Sequence, residues 1–262
     1  MSSGYLAAMR AERAAVIDFC ADFSAEEWAA PSRAEGWSVQ DVVAHLATTQ
    51  RALVTPAALA TMRSHDLERL NDEVVAAVRG RSSQQVYGDF VSWSRIGCAA
   101  LGLSTLPGIE RVRLPVGELG RYPLRLMPTI FVYDWHVHLR CDIAPALGRT
   151  PPGTDDRRMS AALAWTMALL EQSHRTRLTW LDAPIALTLR GPGGGTWRIE
   201  PAGAGGLRVQ PGDVTGAATR ITGSATEFLS WATRRSPWAE AELTITGDVP
   251  VGERFLDTLD LV

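Results

Sequence analysis

The sequence predicts a helical domain followed by a small α+β domain. Three observations carry this expectation. Apolar residues recur at helical spacing up to Ser173; beyond Pro184 the pattern changes to short alternating runs between Gly-rich turns; and helical periodicity returns only in two short stretches near the C-terminus. Placing the division just before Thr179 gives domains of residues 1–178 and 179–262.

The elements are read in order. From Tyr5 to Phe23, Leu6, Met9, Val16, Cys20 and Phe23 share one helical face, and Pro31 lies beyond the end. Ser38 is an N-cap residue, and Asp41 three positions on approximates a capping box, so the second helix starts there. Trp37 and Val42 occupy the two positions of a hydrophobic staple. Residues 51–80 read as further helix interrupted near Pro56, and Ser83 to Leu101 as another helix with Val86, Phe90, Trp93 and Gly97 on one side. The stretch 103–123 is rich in Gly and Pro and reads as a long irregular connection, a feature that is often functional in a compact domain. Pro128 sits near the start of an apolar helix, and Arg157–Ser173 is one more. In the second half, IALTLR, TWRIE, GLRVQP, ATRIT and AELTITG are strands, GPGGG at 191–195 is a hairpin turn, and 224–232 and 249–259 are helices.

Composition bounds the function. At 46% apolar residues the chain can bury a sizeable core, and a net charge of −3 gives no bulk attraction to nucleic acid or an anionic membrane. No basic start precedes an apolar block, and no stretch of about 18 apolar residues exists, so neither a signal peptide nor a membrane span is expected. Cys20, Cys98 and Cys141 are odd in number, far apart and in apolar contexts, as reduced core cysteines of a cytoplasmic protein are. All 26 basic residues are Arg, and Asn71 is the only Asn. Such usage points to a genome rich in G and C, as in actinomycetes.

Two segments can carry chemistry. His45 lies within the apolar face Val42–Leu46; taken alone, that is the pattern of a histidine satisfied at a bundle edge. Asp134 and His138 are four residues apart, so on a helix they share a face. Such a pair can bind a metal with a histidine from a second helix, leaving a position open, or it can be an ordinary helix ion pair. His136 points elsewhere, His65 is in a polar segment, and His174 is expected to end a helix, where partial positive charge is favourable. The glycine run 191–195 lacks the strand–loop–helix context of a phosphate loop.

Several stretches together resemble one family. GWSVQDVVAHLA, at 36–47, resembles the second-helix signature of DinB-like proteins, in the branch of mycothiol-dependent maleylpyruvate isomerase-like proteins. There the histidine of the pattern is a metal ligand, here His45. The stretch 114–149 resembles that branch's loop and final bundle helix, in which an acidic residue, three others and a histidine precede a conserved tail. Here these are Asp134 and His138, followed by Asp142-Ile143-Ala144 and Leu147-Gly148-Arg149. The commoner acidic ligand is Glu; Asp134 is shorter. The C-terminal half, with FLSWATRRSPW followed by LTITGD, is similar to the accompanying sterol-carrier-protein-like domain. In the family an arginine of this segment turns toward the active site. Arg234 is the catalytic candidate, with Arg235 the alternative, and Thr233 replaces the usual preceding Gly.

The resemblance implies a DinB-like four-helix bundle with a small α+β domain. It implies a divalent metal, most often zinc, held by His45, Asp134 and His138. It further implies mycothiol as a thiol cosubstrate and a small electrophilic substrate, in an isomerase or transferase reaction. Arg121 and Arg125 are candidates for binding thiol or substrate, and Arg234 for holding a substrate carboxylate. The expected protein is a cytoplasmic monomer or homodimer with no nucleic-acid or membrane partner. Two alternatives remain beside it: a metal enzyme of secondary metabolism that uses no thiol, and a non-catalytic ligand-binding protein.

Overall fold

In the computed structural model, which describes residues 2–212 and 214–261, the chain falls into two compact units, Met1–Gly153 and Thr154–Val262.

The first unit is helical. Its elements are α1 (Ser2–Cys20), α2 (Ala25–Ala29), α3 (Val39–Leu53), α4 (Ala58–Arg63), α5 (Leu67–Ala76), α6 (Ser83–Gly102) and α7 (Met127–Val137). Helix α3 packs along α6, and α1 packs against α7 and α6, so these four form the bundle. Its core holds Met9, Leu46, Phe90 and Trp135, all fully buried. Local chemistry sets the helix starts. Ser38 and Ser82 each accept from the backbone three residues on, and Asp41 and Gln85 return the bond, completing capping boxes. Pro128 in the first turn of α7 sits where its missing N–H costs nothing.

Two features of this unit depart from the sequence reading. The connection 103–123 is not wholly irregular: Arg113–Pro115 (β1) pairs antiparallel with Arg121–Pro123 (β2). Strands of three residues carry too little alternation to be read from sequence. Helix α7 does not simply continue; at His138 it opens into a π-helical segment, His138–Ile143.

The second unit starts with α8 (Asp156–Ser173), followed by strands β3 (Ile185–Arg190), β4 (Gly195–Ala202), β5 (Gly206–Pro211), β6 (Thr219–Ser224) and β7 (Thr244–Gly247), with α9 (Ala225–Ala232) and α10 (Val249–Thr258). The sheet order is β5-β4-β3-β6-β7. Only β3 and β6 are parallel, Ile185 opposite Thr219, with the other neighbours antiparallel. Parallel pairing requires a crossover, which is why the central strand β3 is buried almost throughout. The sequence-based division differs from the structural one by α8, whose helical period groups it with the bundle. In the structure α8 belongs with the sheet: Glu171 accepts from Val209 N on β5 at 2.9 Å, and Asp156 accepts from Gly193 N at 2.9 Å. The turn at 191–194 depends on that closeness. Gly193 has φ +61°, and a Cβ there would lie 2.4 Å from Ser160 N, so no larger residue fits. No helix among the described residues is long and apolar enough to cross a membrane.

His174 closes α8, as expected, and it is buried there. Its Nε2 accepts from Asp260 N at 3.1 Å, and its Nδ1 lies 2.8 Å from Ser173 Oγ. Burial pushes its pKa down from 6.5 to about 4; Arg177 and Arg234 add to this and Asp260 opposes it. The unfolded chain therefore binds a proton between pH 6.5 and about 4 that the folded chain does not. Stability is full above pH 6.5 and falls on acidification through that window, by about 3 kcal/mol at the limit. Urea midpoints for His174→Gln measured from pH 7.5 to 4.5 should lack most of this slope. An unchanged slope would contradict the assignment.

Candidate metal centre

His45 is on α3, held by the capped first turn at Ser38 and by neighbours Ala44 and Leu46, which are core residues; it is 5% exposed. Asp134 sits in the last turn of α7 and His138 opens the π-helical segment. The bundle brings the three together. His45 Nε2 lies 3.3 Å and His138 Nε2 3.5 Å from the same oxygen, Asp134 Oδ1. The three candidate ligand atoms all lie within 4.8 Å of one another.

Magnitudes distinguish an ion-pair cluster from a cation seat. A charge-assisted N–H···O bond is about 2.7–2.9 Å long. The two contacts to Asp134 Oδ1 are both longer. A tetrahedral zinc ion with ligands at about 2.0–2.1 Å separates those ligands by about 3.3 Å, which matches the two contacts. Donor chemistry agrees: two imidazoles and one carboxylate are the three-ligand set of a zinc site with one open position. The residues present therefore fit a divalent cation.

The surroundings restrain the imidazoles. Trp37 lies beside both, its ring centroid 5.1 Å from that of His45 and 6.3 Å from that of His138, nearly parallel to the latter. Trp37 Nε1 donates to Asp72 Oδ1 at 2.8 Å, which fixes the indole. Arg79 ties down the loop before α3 by donating to Gly36 O and to Asp41. His138 Nδ1 lies 2.7 Å from Asp142 Oδ2, and Asp142 is fully buried. His45 Nδ1 is buried without a hydrogen-bond partner.

His136 faces away from this group, as its offset of two residues from His138 requires. It is buried beside Glu12 on α1, which also takes the guanidinium of Arg140. Burial alone would raise the Glu12 carboxyl. The hydrogen bond and charge of His136 and of Arg140 outweigh it and hold the group below its ordinary value.

The arginine candidates lie as follows. Arg121 on β2 is exposed and donates to Arg113 O at 3.1 Å across the hairpin. Arg125 is exposed just before α7 and acts electrostatically on Tyr5. Arg234 ends α9 with φ 57°, alone among the described non-glycine residues in having a positive φ. Its guanidinium donates to Asp257 O at 2.9 Å and lies 3.7 Å from Asp260. Arg235, the alternative, reaches Thr233 O at 3.5 Å. The sequence reading named Trp37 only as a hydrophobic staple and Asp142 only as part of the tail after His138, and gave neither a place at the site. A signal for Asp142 was present, since it follows His138 at the same spacing of four by which Asp134 precedes it.

Comparison with known proteins bears on this arrangement. Residues 9–98 match the model of the mycothiol maleylpyruvate isomerase N-terminal domain. Two uncharacterized proteins of Mycobacterium tuberculosis, from strains CDC 1551 / Oshkosh and ATCC 25618 / H37Rv, are each 27% identical over 216 residues, covering 76% of this chain and 78% of theirs. The crystal structure of the mycothiol-dependent maleylpyruvate isomerase superposes with a TM-score of 0.58 over 95% of both chains at 16% identity. A histidine-to-alanine mutant of that enzyme gives 0.52 over 95% of both chains at 14% identity. The structural likeness establishes the fold, DinB-like helices followed by an α+β domain. Residues 9–98 thus match that family's N-terminal domain, and the chain as a whole shares the fold of the isomerase structures.

Proposed function

We propose that this protein is an enzyme that holds a divalent cation, zinc by preference, on His45, Asp134 and His138, and joins mycothiol to a small electrophile. The observation that carries this reading is the convergence of two imidazole nitrogens on one carboxylate oxygen at 3.3 and 3.5 Å. A divalent cation seated there supplies Lewis acidity, which lets a coordinated thiol lose its proton near neutral pH.

The chain's own residues supply the rest. The three ligands leave one side open for sulfur. Trp37 covers the imidazoles and limits water beside them. Arg234 is the candidate for a substrate carboxylate, which a planar guanidinium takes bidentately, and its left-handed backbone is strain of the kind found at functional positions. Arg121 and Arg125, both exposed, offer charge for the acidic parts of thiol or substrate. The thiol is retained in the product of a transferase and released by an isomerase. The free cysteines agree with action in a reducing cytoplasm.

Calorimetry tests the thiol. Mycothiol titrated into zinc-loaded protein is expected to bind saturably, with a dissociation constant of about 1 μM to 1 mM, and to release a proton, seen as a buffer-dependent enthalpy. No binding to the loaded protein would refute the thiol reading while leaving the cation seat intact.

A further inference from the structure

We propose that Asp142 is the positioning residue of the centre: it holds the proton of His138 on Nδ1, so that the lone pair of Nε2 points at the cation seat. This rests on the reading of His45, Asp134 and His138 as that seat.

Three observations support it. The contact from His138 Nδ1 to Asp142 Oδ2, at 2.7 Å, is shorter than either contact to Asp134 and has the length of a charge-assisted hydrogen bond. The carboxylate has no proton of its own to give, so it accepts, and the neutral ring then carries its single proton on Nδ1. Burial adds to this: Asp142 is fully buried, and a buried carboxylate is stable only when it accepts hydrogen bonds such as this one. The backbone is built around it. Arg33 N donates to Asp142 O at 3.1 Å, which ties the segment to the loop before α3. The change from α to π geometry falls at His138 itself. Asp134 therefore approaches the ring from a turn of α pitch, and Asp142 from a wider one. The two carboxylates meet opposite edges of one imidazole, Asp134 at Nε2 and Asp142 at Nδ1.

The two histidines are thus unequal. His45 Nδ1 is buried without a hydrogen-bond partner, so only His138 has its tautomer dictated by a side chain. A carboxylate behind a ligating histidine is worth 10–100-fold in metal affinity. That advantage belongs to His138 here.

Two measurements on the full chain test this. In metal-free protein labelled with 15N-histidine, long-range 1H–15N correlation at pH 8 should show His138 as the Nδ1–H tautomer. Asp142→Ala should move it toward Nε2–H. Zinc affinity by chelator competition should fall about 10–100-fold in Asp142→Ala and by a smaller factor in Asp142→Asn, whose amide oxygen still accepts. If the alanine variant does not fold, the asparagine variant alone decides, by a measurable loss of zinc affinity. Folded variants with wild-type affinity and the wild-type tautomer would overturn the positioning role while leaving the seat in place. A wild-type protein that binds no zinc would overturn both.

Discussion

Replacing His45 with alanine is expected to reduce bound zinc from about one ion per chain to background while leaving the bundle folded. The imidazole is one of three protein ligands, and the remaining pair, Asp134 and His138, lies on one continuous helical stretch that cannot close around a cation alone. A loss of affinity of about a thousandfold, near 4 kcal/mol, is the expected scale. Fold stability should change far less. Ala is the best helix former, the α3 cap at Ser38 is untouched, and the core on either side is apolar. Elemental analysis beside circular dichroism reads both quantities. Full metal occupancy in the variant would remove His45 from the ligand set.

Glu12→Ala is expected to destabilise the helical domain by about 3–5 kcal/mol. Glu12 is fully buried on α1, with His136 and Arg140 against it. Removing it leaves the Arg140 guanidinium in the interior facing only backbone carbonyl oxygens, those of Pro152, Gly153 and His136. Those carbonyls offset part of the desolvation but not the charge. The carboxyl is held below its ordinary value, so its contribution is present above the unfolded value of about 4.5. It is lost as pH falls through the lower folded value. Guanidinium denaturation at pH 7 measures the effect. A loss below about 1 kcal/mol would mean that the pair's attraction barely exceeds its cost of burial. The double variant Glu12→Leu with Arg140→Met should recover most of the loss, because no charge is then left behind. Arg140 lies between His138 and Asp142 in the π-helical segment, so the single variant should also weaken zinc binding.

The parts of the site that sequence revealed are those written in local spacing. The Ser38–Asp41 capping box places the start of α3 and thereby the face on which His45 lies. Asp134 and His138 read as one face because α7 keeps α pitch up to Val137. The spacing of four from His138 to Asp142 was open to reading, but the change to π pitch has no local signal in His138–Ile143, a run of ordinary helix formers and polar residues, so the edge of the ring that Asp142 meets was not legible. Glu12 and Arg140 are 128 residues apart, and nothing in either neighbourhood names the other. His174 was placed correctly at the end of α8, but its charge state was not legible. The local rule for a histidine at a helix end is sound, but tertiary burial and the Asp260 N–H decide its state. The sheet was readable as five strands, while the parallel pairing of β3 with β6, which makes β3 central, depends on a crossover that alternation does not encode.

Zinc K-edge absorption on the loaded protein, before and after mycothiol, tests the account most directly. Nitrogen and oxygen scatterers at about 2.0–2.1 Å, joined on thiol addition by one sulfur at about 2.3 Å, are expected. A zinc ion whose shell already contains protein sulfur, or one that gains none when thiol is added, would contradict a seat built from two imidazoles and a carboxylate with one side open.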